Sequence, residues 1–251
     1  MFFDFWLNTL EILMAATSTA LVTNHLLNYL PKLDKEWFIQ NCTPVELMFG
    51  ETLYIAEETI KYVYFPLNGF ISLIVELTET QSLEMLLIGN EGMLGATLGL
   101  GNRKAPMKSV VQGSGNALRM EAAIFDHRLE SNPVVRKLIH EYLYVLMQQL
   151  AQTGACNHFH EIKQRLARWL LMTQDRAHSE HLQLTHQFLS KMLGVRRSAI
   201  TIAAGYFQQQ GIISYNRGQI NILSRSGLEK LACQCYSASV ETHQNTLMSA
   251  Q

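Results

Sequence analysis

The chain is poor in the residues that staple small secreted proteins together. Its 251 residues include four cysteines, Cys42, Cys156, Cys233 and Cys235, too few and too scattered for a disulfide framework, which fits a reducing compartment. Cations are missing from the start: the first Lys or Arg is Lys32, so the basic n-region of a secretory peptide is absent. Long apolar runs are missing too. The longest near the start, Ile12 to Val22, is about 11 residues against the roughly 20 that span a bilayer. A cytoplasmic protein with no membrane partner is expected.

Histidine is absent from Leu26 to Asp126, and Cys42 is the only cysteine in that stretch. A cupin-type metal enzyme needs several converging imidazoles, and a haem needs an axial ligand from the same short list. No grouping of nucleophile, base and orienting residue is visible there either. The chain is therefore read as a non-enzyme, with no catalytic residue, metal or identified cofactor. Cys233 and Cys235, two apart on an expected helix, would point roughly 200° away from each other and make poor joint ligands. His158 and His160 are read as solvated residues flanking a hinge.

What is present divides the chain. Residues 1–159 carry 10 Lys+Arg against 16 Asp+Glu, and residues 160–236 carry 10 against 4. An acidic part is joined to a basic one, the asymmetry a separate nucleic-acid-binding unit produces. The segment 1–22 is aromatic at first (Phe2, Phe3, Phe5, Trp6) and then bland. Either translation begins at Met14, or the segment is an extra helix on the next domain.

From Val45 to Phe125 the period is that of strands: Tyr62–Phe65 stopped by Pro66, Phe70–Leu77, then Leu83–Ile88, with turns between them. Such close spacing predicts an antiparallel sandwich or small barrel. The run Gly89-Asn90-Glu91-Gly92-Met93-Leu94-Gly95 either lets backbone amides approach a phosphate or marks tight corners; corners are the commoner use of such glycines. From Asn132-Pro133 the period turns helical. Val135, Leu138, Tyr142 and Val145 form one stripe and Ile139, Leu143, Leu146 and Leu150 the next, a band too wide for one-sided packing. The helix is either buried in its own domain or shared with a second subunit. The second reading assigns Val135, Leu138, Ile139, Tyr142, Leu146 and Leu150 to a dimer interface.

The strongest pattern follows. A helix over 160–176 buries Ile162, Leu166, Trp169 and Leu170, and residues 186–205 fit a helix-turn-helix. Leu189 and Leu193 face inward, Ser190 is small at the crossing, and Gly194 sits at the turn. Val195, Ile200 and Ala203 bury the second helix. Its outer face begins Arg196-Arg197-Ser198 and adds Thr201, at the end where a recognition helix meets bases and phosphates. Two alternating runs, 211–215 and 219–223, flank Asn216-Arg217-Gly218 as a hairpin wing.

These segments resemble the Crp/Fnr transcriptional regulators over Leu47 to Tyr236. The resemblance is carried by Val63-Tyr64-Phe65-Pro66 with Gly69, by the 89–95 run, by Gln164-Arg165-Leu166-Ala167-Arg168-Trp169-Leu170 and by Leu193-Gly194-Val195-Arg196-Arg197-Ser198. It implies an α+β chain: an antiparallel β-roll of the cyclic-nucleotide-binding kind at 23–130, a dimerisation helix and hinge at 131–159, a winged helix at 160–236 and a tail at 237–251. It also implies a homodimer on a palindromic operator in double-stranded DNA, contacts with RNA polymerase, and a DNA-facing set of Arg196, Arg197, Ser198, Thr201, Thr185 and Arg217. An effector pocket would use Glu91, Gly92, Lys108 and Ser109. Where nucleotide-binding members place an Arg-Ser or Arg-Thr pair this chain has Met107-Lys108, so cyclic AMP is not expected. A regulatory or scaffold subunit whose winged helix binds protein is the alternative.

Overall fold

The computed structural model describes residues 23–78, 81–177 and 181–248, so the expectations for 1–22 lie outside the described residues. Short helices α1 (His25–Asn28) and α2 (Lys32–Asn41) precede β1 (Thr43–Leu47), β2 (Thr52–Tyr54), β3 (Tyr62–Pro66), β4 (Phe70–Thr78), β5 (Gln81–Ile88), β6 (Lys108–Gly113) and β7 (Gly115–Glu121). Two helices follow, α3 (Ala122–Ser131) and α4 (Pro133–Phe159). Next come α5 (Ile162–Ala177), β8 (His181–Gln183), α6 (His186–Met192), α7 (Arg197–Gln209), β9 (Ile213–Asn216), β10 (Gln219–Ile222), α8 (Arg225–Leu231) and α9 (Cys235–Met248).

Strands β1 to β7 make a roll of two antiparallel sheets, ordered β1-β7-β3 and β2-β6-β4-β5. Its centre is aromatic. Phe38 of α2, Phe65 of β3 and Phe125 of α3 meet edge to face, with ring centroids 5.6–6.4 Å apart, the arrangement their quadrupoles favour.

The α4 helix starts where Asn132 caps it, its side-chain oxygen accepting from the Val134 and Val135 amides at 3.0 and 3.1 Å. Pro133 fills a position whose amide needs no partner. Val135, Leu138, Ile139 and Tyr142 are at most 5% exposed within the single chain, and Leu146 and Leu150 pack against the same core. Val135, Leu138, Ile139 and Tyr142 are therefore covered within their own chain and not available to the subunit interface expected of them, whereas Leu146 and Leu150 are only partly covered. The apolar band is wide because the roll covers α4 on one side and α9 on another. The segment read as a tail from 237 is this helix α9, with Leu247 fully buried in the roll's core.

The winged helix docks on the back of the four-stranded sheet, and a bulge arranges the contact. Leu73 faces Leu86 while Ile74 faces Glu84, so Met85 has no partner across the ladder. The extra residue reverses the alternation. Leu86 and Ile88 point into the roll, whereas Glu84 points outward beside Ser72 and meets the indole of Trp169 on α5. Ile74 and Val110 join the core of the winged helix, and Phe70 and Leu87 pack on Met172.

Candidate nucleic-acid interface

The α6 helix is capped by Thr185, whose hydroxyl accepts from the Phe188 amide at 3.1 Å. It ends at Gly194, whose φ of +62° only glycine adopts cheaply. The Val195 amide reaches back to the Ser190 carbonyl at 3.0 Å, turning the chain into α7. There Ile200, Ala203 and Phe207 are fully buried against Leu166 and Leu189.

The opposite side of α7 is open. Arg196, Arg197, Ser198 and Thr201 are exposed, and Ile202 is 69% exposed among them. No side chain caps this helix start, so its first amides and the positive end of its dipole stand uncapped beside the two guanidiniums, which also line a hollow shared with Val75, Leu77 and Met85 of the roll. The Thr201 hydroxyl donates to the Arg197 carbonyl at 3.1 Å and faces His186 Nδ1 at 3.0 Å. His186 stacks on Tyr215 of the wing at 4.2 Å, and burial together with the Arg197 charge lowers its pKa. The start of α7 and the wing are thereby tied together.

In the wing, β9 and β10 turn through Arg217 and Gly218, with φ of +47° and +85°. Positive φ at both central residues is the I′ geometry that matches strand twist. For arginine it costs about 1 kcal/mol or more, yet it is arginine that stands at this tip. The turn lies against Thr185: the Leu184 amide donates to the Gly218 carbonyl at 2.7 Å. The six residues expected at the nucleic acid are thus all exposed on the surface formed by the start of α6, the start of α7 and the wing.

The basic balance of 160–236 proves to have two sources. Arg165, Arg168 and Arg176 are 8% exposed and serve the fold: Arg165 donates to the Leu193 carbonyl, Arg168 to Thr153, and Arg176 pairs with Glu91 at 2.7 Å. Arg225 pairs with Asp175 and Glu229, and Lys163 lies over the Tyr206 ring. Four of the remaining cations, Lys191, Arg196, Arg197 and Arg217, flank the open surface.

The residues expected in an effector pocket are not brought together. Glu91 is held by Arg176 beyond the Ile71 end of the sheet, whereas Lys108 pairs with Glu76 at 3.0 Å near Ile74. A Cβ on Gly92 would sit 2.1 Å from the Tyr142 hydroxyl, which exchanges hydrogen bonds with the Met93 backbone. The glycine admits Tyr142, and the Gly92 amide closes a turn onto the Gly89 carbonyl at 3.2 Å, which is the corner use of this run. The Ser109 hydroxyl is buried without a partner. The hollow beside Glu91, about 340 Å³, is lined by Arg176, Tyr236 and His243 and lies between the domains. Glu84 was not foreseen. It is buried, accepts from Trp169 Nε1 at 2.6 Å and from the Ser72 hydroxyl at 2.5 Å, and desolvation raises its pKa to about 7.

A roll, a long helix and a docked winged helix with an exposed cationic face make up the described chain. Comparison with known proteins narrows this. Residues 164–231 match the family model of the Crp-like helix-turn-helix domain. Among solved structures, the chain is similar to a putative Crp/Fnr-family transcriptional regulator from Eubacterium rectale, at 18% identity and a TM-score of 0.61, covering 82% of this chain and 96% of that one. It is similar to FixK2 from Bradyrhizobium japonicum at 15% identity and a TM-score of 0.65, covering 76% and 98%. A Crp/Fnr regulator from Thermus thermophilus gives 20% and 0.62, covering 76% and 98%. No curated protein matches. The chain has the Crp/Fnr regulator fold, with the Crp-like helix-turn-helix domain as its C-terminal unit. No helix among the described residues is long and apolar enough to cross a membrane.

Proposed function

We propose that this chain is a sequence-specific transcriptional regulator that binds a palindromic operator as a homodimer. The observation that carries the reading is the open start of α7, where Arg196, Arg197 and Ser198 stand exposed beside the wing's Arg217. A guanidinium at the place of Arg197 reaches guanine O6 and N7 with two parallel hydrogen bonds, while Arg217 meets phosphate.

The dimer uses the side of α4 that the chain leaves uncovered. Tyr144, Met147 and Phe159 are 52%, 66% and 77% exposed, and Ala151, Gly154 and Ala155 lie open between them. Tyr144, Met147, Ala151, Gly154 and His158 follow one another at spacings of three and four, the seam of a two-stranded coil. Two such subunits would present their α7 helices to half-sites about 34–36 Å apart. The roll acts as a sensing or structural domain that does not take cyclic AMP, because Lys108 is engaged by Glu76 and no arginine fork replaces it.

Operator binding by single-residue variants tests the reading. Arg197→Ala should cost about 1–3 kcal/mol at the cognate site and relax preference at one base pair per half-site. Arg217→Ala should weaken all sequences alike and flatten the salt slope by roughly one unit. Wild-type affinity and preference in Arg197→Ala would remove α7 as the reader, and binding without salt dependence would favour a protein partner.

A further inference from the structure

Three thiols and an imidazole converge where the chain enters and leaves the winged helix. Cys156 lies in the last turn of α4 and His160 caps that helix. Cys233 precedes α9 and Cys235 opens it. Because Cys233 stands outside the helix, the two cysteines are freed from the divergence expected of neighbours on one. The Sγ atoms of Cys156 and Cys233 are 3.5 Å apart, Cys235 Sγ is 3.4 Å from His160 Nδ1, and all four donor atoms lie within 4.8 Å of one another. The cysteines are at most 5% exposed.

We propose that Cys156, His160, Cys233 and Cys235 form a site for a single zinc ion that pins the entry and exit of the winged helix together. With Zn–S near 2.3 Å and Zn–N near 2.0–2.1 Å, tetrahedral geometry sets neighbouring donors about 3.5–3.8 Å apart, which the two observed spacings approach. A four-iron cluster spreads its cysteines more widely than one ion does. Three thiolates and a neutral imidazole select zinc over the oxygen-seeking cations, and the thiol protons leave as the ion binds.

The surroundings suit such a centre. Gln152 Nε2 donates to Cys235 Sγ at 2.8 Å, the kind of outer hydrogen bond that orients a thiolate ligand. A zinc ion with three thiolates carries one net negative charge. The buried guanidiniums of Arg165 and Arg168 act electrostatically on Cys156, and each has an Nε without a hydrogen-bond partner. The site is independent of the DNA-binding reading.

The test uses the full chain, produced with zinc in the medium and purified without chelators. Elemental analysis should give one zinc per chain, falling to background in Cys233→Ser. The Gln152→Ala variant keeps every ligand and should lose about 10–100-fold in zinc affinity. Should Cys233→Ser fail to fold, the wild-type chain still decides: stripped of zinc and given cobalt(II), it should show the intense visible bands of a tetrahedral thiolate site. Folded wild-type protein without stoichiometric zinc or those cobalt bands would overturn the proposal. So would zinc retained in folded Cys233→Ser, or a fresh preparation lacking two hydrogens through a Cys156–Cys233 disulfide.

Discussion

Glu84 gives the sharpest test of how the two domains are held together. Its carboxyl is buried between Ser72 of the roll and Trp169 of the winged helix, and desolvation raises its pKa from 4.5 to about 7. An acid whose folded pKa is raised keeps its proton in the folded chain while the unfolded chain releases it. Stability is therefore full below the unfolded value and falls as pH climbs toward the folded one. At 1.36 kcal/mol per unit, a shift of that size costs roughly 3 kcal/mol at pH 8 and nearly nothing at the acid edge. Glu84→Gln has the same shape and no charge. Its oxygen can accept from Trp169, and its amide can donate to Ser72. The variant should match wild type near pH 4 and exceed it by up to about 3 kcal/mol near pH 8. Paired urea melts at the two pH values, followed through Trp169 fluorescence, measure this. A variant less stable than wild type at pH 8, or a difference that ignores pH, would show that Glu84 is ionised and supported by Arg168 and Arg176.

Met147→Glu places a charge on the uncovered side of α4 and should give a folded monomer by light scattering, with operator affinity largely lost; a dimer that persists would put the interface elsewhere. Gly92→Ala drives a methyl into the Tyr142 hydroxyl and should cost about 1–3 kcal/mol in thermal melts, whereas a room-making pocket at Gly92 would tolerate it. Arg217→Gly relieves a positive φ and should raise stability by up to about 1 kcal/mol while weakening DNA binding at every sequence. Equal affinity for random duplex DNA in that variant would mean that the wing does not touch phosphate.

The helix-turn-helix could be read from sequence because its determinants are local. Gly194, the inward Leu189, Leu193 and Ile200, and the Asn216-Arg217-Gly218 turn act within about thirty residues of each other. The strands β3, β4 and β5 were likewise fixed by Pro66, Gly69 and their own apolar runs. What failed depended on distant partners. The wide apolar band of α4 was real, but nothing in its spacing says that α9 returns to cover part of it. Straight alternation puts Glu84 on the side of Leu86 and Ile88, and only pairing with β4 reveals the bulge at Met85 that turns it outward. A carboxylate inside an apolar strand was still a readable sign. The charge balance counted every cation alike, yet Arg165, Arg168 and Arg176 belong to the interior. Cys156 and Cys233 are 77 residues apart, too far for spacing to join them.

The meeting of the end of α4 with the start of α9 also decides how the molecule carries load. Tension passing along the backbone from one helix to the other would ordinarily stretch everything threaded between them, here α5 through α8. Because α4 and α9 pack on one another and Cys156 and Cys233 lie side by side, a metal bridging them would give that force a short circuit across a few side chains. The winged helix would then lie outside the load path and feel strain only through the side chains that dock it on the roll.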